Sequence, residues 1–405
     1  MNERKWLKRE GTRWVEKGLI EENQFEDILS LYEGRKSNNL LPILASILIG
    51  LGILTFIASN WSEMSNLLRF TLICTGIIGF NLIGMNLVQK GSRTLGTAWI
   101  GMGTLTFGAG IFLVAQMFHI VSYNSTAFII WLGIGLLTYY VFPNKYIYLL
   151  TLVIGSAGMI YSAISFQSFS FFLAILVVGG IGILTFKENE PLFYYFYLSA
   201  VTISSITFHV AYDLMYVWMT LFFLFMYAVN EFLQHEKGKN AFKNMSIVGV
   251  IVVTFIHVFV LDDMIRYDEE ILSKPIPYFA ILLLLIGAIT LVKVKRQSDR
   301  NWIDLLLFLP LFLVGETAGV LYLLLAFGYS LSILVQGYKV EEPMLINRGT
   351  FLFLISTLVA YIQLAWDFLP KSMFFLAGGI LLFVLSWYLE KRRRTWFHES
   401  KGGQS

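Results

Sequence analysis

From Leu41 to Glu390 the chain is a succession of apolar runs broken by short polar turns, and none of the runs alternates with period two. Runs of about 17 to 21 residues match the roughly 30 Å of a bilayer's hydrocarbon core at about 1.5 Å per residue. Lipid offers a backbone no hydrogen-bond partner, so such runs close their own bonds as helices. The pattern predicts an all-α, polytopic transmembrane helical bundle of about 14 spans. They read as 41–59, 67–89, 94–116, 126–142, 146–165, 171–186, 191–210, 214–232, 245–261, 276–294, 302–314, 318–336, 349–368 and 373–390. Pro310 and Glu316 interrupt 302–336, which reads either as two spans or as a re-entrant hairpin.

Ahead of the first run, residues 1–40 are polar and carry a different period. Trp6, Leu7 and Trp14 mark one short helix, Glu3 to Lys17, and Gly18 suits the left-handed turn that ends it. Phe25, Ile28, Leu29 and Tyr32 then form one apolar stripe over Glu21 to Glu33, with Gly34 as the stop. The pattern predicts a helical hairpin. Forty residues bury too little to fold alone, so the stripe is expected to pack on the membrane domain, on lipid, or on another copy. The organisation is therefore a hairpin at 1–40, a transmembrane domain at 41–390 and a basic tail at 391–405.

Charge tests this segmentation, because Lys and Arg collect in cytoplasmic loops. With the N terminus inside, 26 of the 30 Lys and Arg residues fall in cytoplasmic segments, and only Arg69, Arg266, Lys274 and Lys371 lie opposite. Both termini are expected on the cytoplasmic side of the membrane. The basic run Lys391 to Arg394 anchors that topology and favours anionic headgroups.

Composition narrows the function. With 57% hydrophobic and 14% charged residues, against roughly 25% charged in soluble domains, no water-soluble fold would hide the apolar surface. A net charge of +3 spread over membrane loops gives no reason to expect nucleic acid as a partner. Cys74, inside an apolar run, reads as a packing residue. The charged start leaves no cleavable signal peptide expected, and 41–59 reads as a signal anchor. There is no P-loop, nucleophile elbow, H-E-x-x-H or dinucleotide fingerprint, so neither an enzyme nor a cofactor is expected.

Candidate chemistry gathers at the outer ends of spans. Asn60, Trp61, Glu63 and Arg69 surround the first outer turn, and Gln116, His119, Tyr123 and Asn124 follow the third span. His209 and Asp213 are four apart, which on a continued helix would let the carboxylate orient the imidazole; His257 lies one turn inside its span. These groups read either as interfacial anchors or as the lining of one ligand pocket. No ligand spacing supports a metal site. Glu316 is the carboxylate best placed to be buried and functional, while Glu231 and Asp304, near cytoplasmic ends, read as snorkelling or as lining a cytoplasmic groove. Small residues recur at helical spacing, Thr97, Gly101, Thr104 and Gly108 in one span and Gly155, Gly158, Ser162 and Ser165 in another. Close helix packing is their main reading, a conduit the other.

The hairpin residues Trp14, Gly18, Leu19, Ile20, Ile28 and Tyr32, the ending Ala58, Ser59, Asn60 and Trp61, then Arg69, then Gln116, Met117, Phe118 and His119 carry a resemblance. Over about residues 10–145 the chain resembles the bacterial predicted membrane proteins grouped as domain of unknown function 2157. Ser59 stands where that pattern has alanine or another small residue. The resemblance implies no established activity, but it coincides with the polar outer-end residues and adds weight to a pocket of Asn60, Trp61, Arg69, Gln116 and His119.

Two functional readings follow. One is a transporter or flippase with an outward-facing polar pocket lined by the residues just named with His209, Asp213 and Glu316, taking a small molecule or a lipid. The other is a non-transporting scaffold or sensor whose residues 1–40 bind a cytoplasmic partner or mediate self-association. A lipid-modifying enzyme using His119, or His209 with Asp213, is a third.

Overall fold

The computed structural model describes residues 3–25, 59, 61–233, 236–267, 275–296, 302–315, 317–365 and 370–402. Every regular element among them is helical. The chain divides into two compact units, Met1–Leu72 and Ile73–Ser405.

In the first unit, α1 (Glu3–Glu16) ends where expected. Gly18 takes a positive φ of 68°, and Leu19 N–H reaches back to Trp14 C=O at 2.9 Å, closing the helix with a left-handed turn. The chain then reverses into a second helix whose described part, 22–25, brings the Phe25 ring onto Gly11, where a Cβ would overlap it. The start of the expected hairpin is therefore present; residues 26–33, with most of its apolar stripe, lie outside the described residues, as does the expected span 41–58.

Helices α2 (Asn66–Gln89), α3 (Arg93–Met117), α4 (Thr126–Val141), α5 (Lys145–Phe166), α6 (Phe171–Glu188), α7 (Pro191–Ala211), α8 (Met219–Phe232), α9 (Glu236–Tyr267), α10 (Pro275–Arg296), α11 (Ala318–Val340), α12 (Pro343–Ala365) and α13 (Lys371–Gly402) follow. Among the described residues, 10 helices are long and apolar enough to cross a membrane, and two shorter apolar stretches, Thr126–Val141 and Tyr216–Phe232, accompany them. The family of apolar helices expected from the sequence is present.

Of the ten long apolar helices, α5 is the most enclosed, with 61% of its 18-residue apolar core buried, and it packs on α3, α4, α6 and α7. Its start is set by Asn144, whose side chain accepts from Tyr146 N–H at 2.8 Å. The small-residue stripes serve packing: Gly101 and Gly108 face the Tyr146 and Trp131 rings, Trp131 Nε1 donates to Thr104 C=O at 2.9 Å, and Gly155 and Gly158 receive Leu132, Phe128 and Leu173. Ser165 departs from its stripe and is exposed. Helix α6 contains a π-helical turn, Leu176–Ile181; the Val178 carbonyl there accepts a 2.8 Å bond from Tyr197 Oη.

The second half of the bundle positions the site. Helix α9 is longer than the span expected at 245–261, because residues read as loops on both sides, 236–244 and 262–267, continue its hydrogen bonding. Helix α12 likewise begins at Pro343, well before the expected 349, and so takes Arg348 into its second turn. Helices α11 and α12 form a tight antiparallel pair. A Cβ on Gly337 would stand 2.7 Å from the Ile346 backbone nitrogen, and one on Gly349 2.7 Å from that of Leu334, so only glycine admits this approach.

The helical span expected at 302–314 is corrected. Its residues form two short 3-10 turns, Ile303–Phe308 and Leu311–Val314, because Pro310 cannot donate and breaks the ladder. The Tyr322 hydroxyl closes the break from α11, donating to Leu309 C=O and accepting from Phe312 N–H, each at 3.3 Å. Leu307, Phe308 and Phe312 are buried. That face packs on protein, while Leu306, Leu309 and Val314 on the other are exposed. Asp304 meets Tyr329 while Leu309 meets Tyr322, so the segment runs antiparallel to α11.

Candidate functional site: a cavity with a charged end

The Asp304 carboxylate is buried in the second unit and collects partners from three helices. Its Oδ2 accepts from Lys243 Nζ and from Tyr227 Oη, both at 3.2 Å, and its Oδ1 accepts from Tyr329 Oη at 3.0 Å. Lys293 Nζ donates to Tyr227 Oη at 2.8 Å and also lies over the Tyr227 and Trp302 rings. Beside Tyr227 on α8, Asn230 Nδ2 donates to the buried Glu231 at 3.1 Å. Taking a carboxylate out of water is costly unless it is paired and hydrogen-bonded, and Asp304 has both kinds of partner.

Asp304, read from the sequence as snorkelling or lining a groove, lines a cavity. A cavity of about 550 Å³ lies between α9, α11 and α12, within the roughly 300–1,000 Å³ of small-molecule sites. Its polar end is formed by Tyr195, Lys243, Asn244, Asp304, Gln336 and Arg348. Its body is lined by Ile247, Ile251, Phe255, Ile333, Leu352 and Ile355. Positions 247, 251 and 255 are successive turns of one α9 face, so the apolar wall deepens by about 12 Å beyond the charged end. The polar end belongs to the end of the bundle where α9 and α12 begin and α10 and α11 finish. Val248, Val252 and Phe351 also line the cavity and are exposed.

The residues singled out from the sequence are not gathered at this cavity. In the first unit the Arg69 guanidinium lies 5.5 Å from the centre of the Trp61 ring. Asn60 and Glu316 lie outside the described residues. Gln116 and His119 are exposed at the end of α3. His119 has a φ of 53°, His119 N–H bonds Gln116 C=O and Ile120 N–H bonds Ala115 C=O, so this pair of residues closes the helix. Asn124 is engaged by the backbone N–H of Thr126 at 3.1 Å, which turns the chain into α4.

The expected His209–Asp213 pairing on a continued helix is corrected. Helix α7 ends at Ala211, Asp213 is itself the left-handed residue with φ 51°, and Leu214 N–H bonds His209 C=O. The His209 imidazole instead bonds the Ser205 carbonyl of its own helix through Nδ1 at 2.8 Å. His257 is stacked between rings, 4.4 Å from Tyr322 and 6.4 Å from Phe312, with Nδ1 on Val253 C=O.

Lys243, Lys293 and Arg348 were legible only as topology signals, because basic residues at span ends normally face headgroups. The overlooked signal is their coincidence with two acidic residues, Glu231 and Asp304, inside apolar runs at the same bundle end.

No curated protein and no solved structure matches the chain. The cavity is built entirely from residues C-terminal to the one segment with a family match. That segment is residues 12–148, which match the family described as predicted membrane protein (DUF2157), the family its N-terminal motifs resemble.

Proposed function

We propose that this membrane protein is a carrier of the transporter or flippase type, and that its cargo is an amphiphile held in the cavity between α9, α11 and α12. The observation that carries the reading is the division of one cavity into a charged end, with Lys243, Asp304 and Arg348, and an apolar body lined from Ile247 to Phe255. A soluble polar solute would leave that body wet and unmatched, and a wholly apolar one would strand the charges. Positive charge assigns the polar end to the cytoplasmic side. The headgroup end of the cavity then faces inward, rather than outward as the outer-end polar residues suggest.

The test fills the cavity without touching a charge. Ile251→Trp places an indole in the apolar body. Full-length protein in liposomes is expected to speed the transbilayer movement of acyl-labelled phosphatidylglycerol, followed by dithionite quenching, and the variant to abolish it. Movement at the protein-free rate with the wild-type chain would overturn the flippase reading.

The scaffold reading keeps one specific support, the ordered reversal at Gly18 that docks Phe25 on Gly11. It requires that deletion of residues 1–36 abolish partner capture while leaving the protein inserted. Identical captured partners with and without the segment would remove it.

A further inference from the structure

Resting on the cavity reading, we infer that the cargo is an anionic phospholipid-like amphiphile, whose phosphate is held by Arg348 and Lys243 in exchange for the Asp304 carboxylate.

Three charged side chains line the cavity, Lys243, Arg348 and Asp304, which leaves one positive charge in excess. A cationic headgroup would meet that excess, and a neutral one would leave it uncompensated in a low-dielectric space. A phosphate supplies the missing charge together with several acceptor oxygens, which suit the fork of an arginine and the point charge of a lysine. Ser332, Gln336 and Asn244 stand around the same end as neutral donors. The tail follows from the lining beyond: Arg348 to Ile355 along α12 spans about 10 Å. Entry follows from Val248, Val252 and Phe351, which line the cavity and are 57%, 52% and 63% exposed, so the cavity is open along its apolar wall. An acyl chain therefore reaches the body sideways, from the bilayer.

Asp304 is built to be exchanged. It occupies a short 3-10 turn that ends at the Pro310 break, not the middle of a long helix. When a phosphate takes Lys243, the carboxylate keeps the hydroxyls of Tyr227 and Tyr329 and so remains solvated by protein. Asp304 and the cargo thus compete for Lys243.

The test is equilibrium binding of phosphatidylglycerol and phosphatidylcholine to full-length protein in neutral detergent, read by native mass spectrometry. Wild type is expected to prefer phosphatidylglycerol, Arg348→Gln to weaken it roughly tenfold and phosphatidylcholine, whose phosphate is already compensated by its own ammonium, much less, and Arg348→Lys to restore part of the loss. Asp304→Asn, by removing the competitor, is expected to strengthen phosphatidylglycerol several-fold, which a merely structural carboxylate would not do. Arg348 is exposed, so its variants read the headgroup even if the Asp304 variant fails to fold. Equal binding of both lipids by wild type, or no effect of Arg348→Gln, overturns the inference. Displacement of phosphatidylglycerol by millimolar inorganic phosphate overturns its lipid source. If Ile251→Trp abolishes binding of both lipids while the charge variants change nothing, the cavity reading stands and the anionic assignment alone falls.

Discussion

Lys243 Nζ lies 3.2 Å from Asp304 Oδ2, joining the second turn of α9 to a segment that is not a regular helix at all. With Tyr227 and Tyr329 completing the carboxylate's shell, this pair fixes the start of the 3-10 segment against three helices. Asp304→Ala leaves Lys243 without its carboxylate in a largely buried site. The expected loss is about 3 kcal/mol, the low end for breaking a buried pair because Lys243 retains some exposure. Asp304→Asn is expected to lose less, since the amide oxygen still accepts. Thermal unfolding in detergent measures both, and equal losses would show that charge, not hydrogen bonding, holds the segment.

The Pro310 break depends on one hydroxyl. Tyr322→Phe removes the group that both donates to Leu309 C=O and accepts from Phe312 N–H; Leu309 C=O keeps its 2.9 Å bond from Leu311 N–H, and the Phe312 N–H loses its acceptor. A destabilisation of about 1–3 kcal/mol is expected. An unchanged unfolding temperature would mean that the break is satisfied some other way.

His257 is held by stacking rather than by its second nitrogen. Its Nε2 is buried and has no hydrogen-bond partner among the described residues, while the ring stacks on Tyr322. Replacing an unsatisfied polar ring by an apolar one of similar shape is close to neutral or stabilising. His257→Phe is therefore expected to leave stability unchanged or raise it by up to about 1 kcal/mol, and His257→Ala to lower it by about 2 kcal/mol through the cavity it leaves. A clear loss in the Phe variant, followed by thermal unfolding, would indicate a polar partner at Nε2.

The α11–α12 contact tolerates no side chain at Gly349, because the atom a Cβ would meet is the backbone nitrogen of Leu334, which cannot swing aside. Gly349→Ala is expected to part the two helices by a few tenths of an ångström and cost about 1–3 kcal/mol. Since Arg348 is the next residue, the same substitution should weaken ligand binding at the cavity. Normal stability with normal binding would contradict the tight approach.

Much of the bundle was legible because period and length are local properties. The runs that predict spans at 146–165 and 191–210 meet α5 and α7 to within a residue or so at each end, with Asn144 and Pro191 marking the starts. The break at Pro310 was legible too, but its form was not: the two 3-10 turns are joined through the hydroxyl of Tyr322, twelve residues on. The site was largely illegible for the opposite reason. His119 and Asp213 drew attention as polar residues at span ends, yet both hold left-handed backbone positions that close helices. Lys243 and Asp304 each resemble an ordinary membrane-edge charge, and their pairing across 61 positions is a tertiary fact that no local pattern carries.

The most direct measurement is a cryo-electron-microscopy structure of the full chain in nanodiscs containing phosphatidylglycerol. The expected result is elongated density running from Arg348 past Ile251 toward Phe255, with Asp304 withdrawn from Lys243. A cavity closed by its own side chains, with the Lys243–Asp304 pair intact and lipid density confined to the outer surface, would contradict the account.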